Sequence, residues 1–242
     1  MDYLVFQLQA PISAWGETAV GEFRPTANYP SESALLGLLA AALGIRREEE
    51  DAHASLRRGY GFAIGVLCSG RLLRDYHTAQ VPGRVSLKNR PHNSRRDELN
   101  LAKDELNTIL STRDYRQDAA SLVAIQVRDG APYILSDVAK ALAKPRFTLY
   151  LGRKACPPAL PLNPQIVAAE NAQAALHAYR QTHAERSGET ALVFERIVWG
   201  EGINTGVAHD LEVVRKDRVL SREHWQFGDR IEYIALAPQG GQ

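Results

Sequence analysis

Two stretches of this chain concentrate positive charge with no acid to balance it. Residues 82–96, "PGRVSLKNRPHNSRR", carry Arg84, Lys88, Arg90, Arg95 and Arg96. Residues 138–169 carry Lys140, Lys144, Arg146, Arg153 and Lys154. Aromatic rings interleave: Tyr76 and His77 precede the first stretch, Tyr115 follows it, and Phe147 and Tyr150 lie inside the second. Cationic side chains neutralise phosphates and aromatic faces stack on unpaired bases, so this combination points to single-stranded nucleic acid. The formal net charge is only +1 over 242 residues, so a basic surface here is a directional face rather than a property of the whole chain. The bland alternative is that the arginines solvate a surface and the tyrosines fill a half-buried core.

Catalytic patterns are sparse. "GRKACPPALPLNP" lacks the GxxxxGK[ST] spacing of a phosphate-binding loop, and "WGEGINTG" lacks dinucleotide-binding spacing, so its glycines read as a turn or bulge. No GxSxG nucleophile elbow occurs. The candidate catalytic pair is His77 with Tyr76 in "RDYHT", since a histidine can act as acid or base in metal-free RNA cleavage at a 2′-hydroxyl. A lone histidine is more often a hydrogen-bonded structural residue. His53, His92, His177, His183, His209 and His224 are scattered without ligand spacing, and Cys68 and Cys156 form no CxxC motif, so neither a metal nor another cofactor is expected. Two unlinked cysteines and the strand-like start "MDYLVFQLQA" fit a cytoplasmic protein without a signal peptide. No apolar run reaches the roughly 18–20 residues of a membrane helix, so no membrane partner is expected.

The elements that position these residues follow from periodicity. Leu4, Phe6 and Leu8 alternate with Tyr3, Val5 and Gln7 in a first strand broken by Pro11 and Gly16. "YPSESALLGLLAAALGI" predicts a helix begun by Pro30 and Ser31, with Leu35, Leu39 and Leu43 four apart and Gly44 at its C-cap. A short helix follows "REEED", then a strand pair at 60–68 and 71–78. Residues 79–111 interrupt the rhythm as a projecting insertion, where Leu99, Ala102, Leu106 and Ile109 at heptad-like spacing predict a helix. Residues 120–127 read as a buried strand. "APYILSDVAKALAKP" reads as a short strand and a helix ending at Pro145, and "RFTLYLG" as another strand. The order β-α-β-β-α-β predicts an α+β fold with a ferredoxin-like split βαβ core. After the proline-rich "CPPALPLNP", residues 165–242 read as a smaller α+β unit. It has a helix at 168–184, strands near 190–199 and 207–216, and a last strand at 230–236.

Several pieces taken together carry a resemblance. "LQAPISAWG", "RPTANYPSESALLGLLAAALGI", "RDYHTAQVP", "LNTILSTRDYRQDA", "KPRFTLYLGRKACPPALPLNP" and "SREHW" resemble the CasD subunit family of type I-E CRISPR Cascade complexes. The resemblance runs in order to about residue 165 and is looser beyond. It implies a RAMP fold, an RRM-like domain over 1–164 with a thumb insertion at 79–117 and a smaller C-terminal region at 165–242. It also implies a non-catalytic RNA-binding subunit that grips the repeat-derived 5′ handle of the CRISPR RNA. Its partners would be the backbone subunit CasC and the large subunit CasA, with target DNA met mainly indirectly through the complex.

On this resemblance Arg113 falls on the thumb-base arginine and Tyr115 stands beside it. Arg24, Lys144, Arg146, Arg153 and Lys154 are phosphate-contact candidates. Trp15, Ser33, Tyr76, His77 and Tyr150 are stacking or hydrogen-bonding candidates. The chain departs from the family at Asp114, where a longer acid is usual, and at Arg116, where an apolar residue is usual. Two other readings stand beside this one: a metal-free endoribonuclease, as in a related branch of the family, and a protein-only scaffold meeting acidic protein surfaces.

Overall fold

The alternation at the N-terminus does form a strand, β1 (Asp2–Gln9), and both of its faces are buried. The structure, a computed structural model, describes residues 1–83, 85–86, 88, 90, 93–187 and 193–237, without the side chains of 184–187. Arg84, His92 and the first part of the strand expected near 190–199 lie outside the described residues. After β1 come four two-residue strands, β2 (Ile12–Ser13), β3 (Trp15–Gly16), β4 (Phe23–Arg24) and β5 (Thr26–Ala27). Helices α1 (Glu32–Leu43) and α2 (Glu50–Gly59) precede β6 (Tyr60–Cys68) and β7 (Arg71–Pro82). A short α3 (Arg95–Leu99) and a 3₁₀ turn (Lys103–Glu105) lead to β8 (Leu106–Gln117) and β9 (Ala120–Val127). The rest of the chain forms α4 (Leu135–Ala143), β10 (Gln165–Ala168), α5 (Ala172–Ser187), β11 (Arg196–Trp199), β12 (Leu211–Ser221) and β13 (Gln226–Leu236).

The described residues form a seven-stranded sheet in the order β10-β1-β9-β6-β11-β13-β12, every neighbouring pair antiparallel. Strands from residues 165–242 therefore pair directly with β1 and β6. Leu4, Phe6 and Leu8 pack with Leu35, Leu39 and Val138 on the face covered by α1 and α4. Tyr3 and Val5 pack on the other face with Leu176 and Tyr179 of α5. Helix α1 matches its sequence signals. The Ser31 hydroxyl accepts from the Ala34 N–H at 3.2 Å, and Gly44 sits at φ 82° with its N–H turned back onto the helix's last carbonyls.

Three expectations are corrected. The strands at 60–68 and 71–78 are not a pair: β6 lies in the main sheet, whereas β7 pairs along its whole length with β8, from Arg71↔Gln117 to Pro82↔Leu106. The heptad-like helix does not form, since α3 ends at Leu99 and Leu106 and Ile109 lie in β8. A short isolated helix is marginal, and the threonine- and isoleucine-containing run "NTILST" gains a full ladder of cross-strand bonds instead. Residues 131–134 and 146–152 are not strands. The N–H groups of Arg146 and Phe147 donate to Ala42 and Ala41 carbonyls at 3.0 and 3.1 Å, capping the open end of α1 rather than a sheet edge.

Candidate nucleic-acid interface

The β7/β8 ribbon leaves the body of the protein at its base, where β8 is braced along its second edge. Strand β2 pairs there antiparallel (Ile12↔Gln117, Ser13↔Arg116) and β4 parallel (Phe23↔Thr112, Arg24↔Arg113). Successive strand residues face opposite sides, so Ser111, Arg113 and Tyr115 share one face and Thr112, Asp114 and Arg116 the other. Cross-strand register adds Arg24, Asp75 and His77 to the first face and Phe23, Arg74 and Tyr76 to the second.

The first face collects cations bonded to neutral acceptors. The Arg153 guanidinium lies 4.7 Å above the Tyr115 ring, and it donates to the Asp114 carbonyl and the Arg24 carbonyl at 3.1 Å each. Arg113 Nε donates to Ser111 Oγ at 3.3 Å, and Arg24 Nη1 to the Gly21 and Phe23 carbonyls at 2.6 and 3.0 Å. The carboxylate opposite Arg113, Asp75, engages His77 Nε2. Arg24, Arg113 and Arg153 thus meet at one spot with their charges directed to carbonyls and a hydroxyl.

On the second face an ion pair joins the two strands. Arg74 holds Asp114 with two hydrogen bonds, Nε to Oδ1 at 2.8 Å and Nη2 to Oδ2 at 3.1 Å, and lies 5.2 Å above the Phe23 ring. Those bonds hold the Asp114 carboxyl below the usual carboxylate range against the opposing effect of burial. Arg116 donates to Asn28.

The sequence candidates divide accordingly. Arg24, Arg113, Tyr115 and Arg153 come together. Tyr115 is only 6% exposed, so it seats Arg153 rather than presenting an open ring to a base. Trp15 is corrected in the same sense. It is 4% exposed within the core, its backbone N–H donates to Thr26 Oγ1 at 2.8 Å, and no face of its ring is free to stack. Lys144, Arg146, Tyr150 and Lys154 are exposed along the loop that leads to Arg153. Ser33 lies elsewhere, its Oγ 3.0 Å from Ser31 Oγ near the start of α1. Tyr76 and His77 are adjacent on a strand and so face opposite sides of the ribbon, and the pair does not converge on one phosphodiester.

The structure adds residues that the sequence reading passed over. Arg74 and Phe23 are one case: they meet β8 only through registers that join residues far apart in sequence, Arg74↔Asp114 and Phe23↔Thr112. Arg47 over Trp225, 4.6 Å from guanidinium to ring, is another. Trp225 is exposed at φ 53° in the turn between β12 and β13, and the aromatic in "SREHW" was its signal. Among the described residues no group of three His, Cys, Asp or Glu side chains is placed to hold a metal ion, and no helix is long and apolar enough to cross a membrane.

Residues 3–231 match the family model described as CRISPR-associated protein (Cas_Cas5). The chain is 32% identical over 240 residues to the "CRISPR system Cascade subunit CasD" of Escherichia coli (strain K12), covering 96% of this chain and 95% of that protein. A solved chain described as "CRISPR RNA-guided surveillance complex" superposes with a TM-score of 0.64 at 23% identity, over 97% of this chain and 90% of its own. Another, "Crystal structure of Cas protein", gives 0.57 at 22% identity, over 98% and 95%. These two share its fold. With the family model spanning nearly its whole length, this chain belongs to the Cas5 family of CRISPR-associated proteins.

Proposed function

We propose that this chain is a non-catalytic RNA-binding subunit of a type I-E Cascade surveillance complex that grips the repeat-derived 5′ handle of the CRISPR RNA. The handle sits against the base of the β7/β8 ribbon, and the ribbon is the thumb that reaches the neighbouring backbone subunit, CasC. CasA is the second protein partner, and target DNA is met through base pairing to the guide. The observation that carries this reading is the meeting of Arg24, Arg113 and Arg153 on one face with only neutral acceptors. Guanidinium groups in that state are free to bind phosphate or a base edge. The order β10-β1-β9-β6, with α1 and α2 after the first strand and α4 after the third, supports a ferredoxin-like, RRM-like RAMP core whose fourth strand, β10, lies just past the 1–164 expected from sequence. The thumb in this reading runs from Arg71 to Gln117, starting eight residues before the 79–117 expected from sequence, and β11, β12 and β13 extend the core's sheet.

The test is one reaction: purified protein and end-labelled repeat RNA in a chelator, divided between native and denaturing gels. The expected result is an intact RNA whose mobility shift requires the handle sequence. A discrete metal-free cut at the handle boundary would make the chain a processing endoribonuclease instead. No shift at low salt would favour the protein-only scaffold.

A further inference from the structure

A second cluster of arginines lies in the main sheet, at the ends of β6 and β9 that point away from the ribbon. Strand β6 begins at Tyr60, directly after Arg57 and Arg58 in the last turn of α2, and ends at Cys68 beside the ribbon. Strand β9 starts next to the ribbon at Ala120 and ends at Val127, just before Arg128. Its eight residues, at about 3.3 Å each, set the two ends roughly 25 Å apart. There Arg57, Arg58 and Arg128 join Arg218 and Arg230 around a cleft of about 330 Å³, together with Glu32 and Glu201.

The charges around this cleft do not cancel. Arg230 is 5% exposed and already engaged, with Asp217 at 2.6 and 3.0 Å and Glu232 at 2.6 Å, and Glu32 lies 3.9 Å away. Arg218 meets Glu201 at 3.4 Å. The other three have neutral partners. Arg57 donates to the Val219 carbonyl, Arg58 to Ser55 Oγ at 3.5 Å, and Arg128 to the carbonyls of Gly202 (3.1 Å) and Glu201.

The glycines of "WGEGINTG" explain how the wall is held. Gly202 has φ +76°, and a Cβ there would fall 2.3 Å from Arg128 Nε; a Cβ at Gly200 would fall 2.9 Å from Glu32 Oε2. The loop is thin where the guanidinium must lie on it, and Arg128 is fixed before any ligand arrives.

We infer that this cleft is a phosphate site, separate from the ribbon base, that takes the phosphate group of a nucleotide or of a nucleic-acid strand. Guanidinium forks match phosphate oxygens in pairs. The volume lies at the small end of the range for small-ligand clefts, ~300–1,000 Å³, which suits a phosphate with its sugar better than an element of a folded protein. The inference stands whether or not the ribbon base grips the handle.

Arg58 and Arg218 are exposed, so the double variant Arg58→Gln/Arg218→Gln tests the cleft in the full-length chain, with Arg58→Gln alone as the milder form. Thermal unfolding is followed in inorganic phosphate and in chloride at equal ionic strength. Filter binding is measured with a single-stranded RNA lacking the handle. Phosphate is expected to raise the midpoint of wild type and of Arg113→Ala, and the variants are expected to lose most of that rise. If RNA affinity also falls about tenfold, the natural source is a strand phosphate; if it is unchanged, the source is a free phosphate or mononucleotide. The inference is overturned if wild type shows no phosphate response, or if the variants respond as wild type does. It is also overturned if poly-glutamate raises the midpoint through these arginines and phosphate does not, which would mark a docking site for an acidic protein.

Discussion

The main sheet and the ribbon are both antiparallel, yet they place their side chains differently. In β1, Tyr3, Leu4, Val5 and Phe6 are each 0% exposed, because helices cover both faces of the sheet. In β7, Leu72 is 51% exposed and Tyr76 63%. A two-stranded ribbon is marginally stable alone, so this one depends on its braced base: β2, β4, the Arg74–Asp114 pair and Arg153. The contrast separates two tasks. The covered centre of the sheet holds the fold, and the ribbon leaves large apolar side chains in solvent, as the outer strands β12 and β13 also do at Val214, Leu220 and Leu236.

Substitutions can break that separation or sharpen it. The largest effect belongs to the sheet. Phe6→Ala is expected to lower stability by about 3–5 kcal/mol in urea unfolding, while the fraction still folded binds handle RNA with unchanged affinity. Arg153→Ala strikes the junction of the two regions, where one side chain covers Tyr115 and bonds two strands' carbonyls. Stability and RNA affinity should fall together, each by about 1–3 kcal/mol, read from unfolding and filter binding.

Asp114→Asn gives a smaller effect that depends on pH. Arg74 depresses the folded Asp114 pKa, so the ionised carboxylate stabilises the protein fully above its ordinary value of 3.8. That stabilisation is lost as pH falls through the depressed folded value. The gap in unfolding midpoint between wild type and Asp114→Asn should therefore be constant near neutrality and close in acid. A gap that widened in acid would contradict the ion pair. The smallest effect is that of exposed Lys154: Lys154→Ala should reduce the salt slope of RNA binding by about 0.7, one phosphate contact on a single strand, without moving the midpoint.

What the sequence made legible was local. Ser31, the four-residue leucine spacing and Gly44 marked α1 because capping and helical period are properties of neighbouring residues. Leu106 and Ile109 misled for the same reason: heptad-like spacing was present, but pairing with β7, a non-local contact, decided the outcome. "RFTLYLG" alternates like a strand, yet the N–H groups of Arg146 and Phe147 are taken by the end of α1 and those of Leu151 and Gly152 by local turns. In the candidate site, the basic residues and their aromatic neighbours were visible as composition. Which of them meet was not, because Arg24, Arg113 and Arg153 are joined only by the β4–β8 register and a loop crossing. Tyr115 and Trp15 show the converse, since an aromatic beside arginines reads the same whether its ring is open or buried.

The most direct test pairs two readings on the same samples of wild type and Arg113→Ala: anisotropy titration with handle RNA, and urea unfolding. Arg113 makes a side-chain bond only to Ser111 among those resolved, and its ladder pairing is backbone. The expected result is handle affinity weaker by about 1–3 kcal/mol with an unfolding free energy within about 0.5 kcal/mol of wild type. Unchanged affinity, or a loss of affinity matched by an equal loss of stability, would contradict the assignment of RNA binding to the ribbon base.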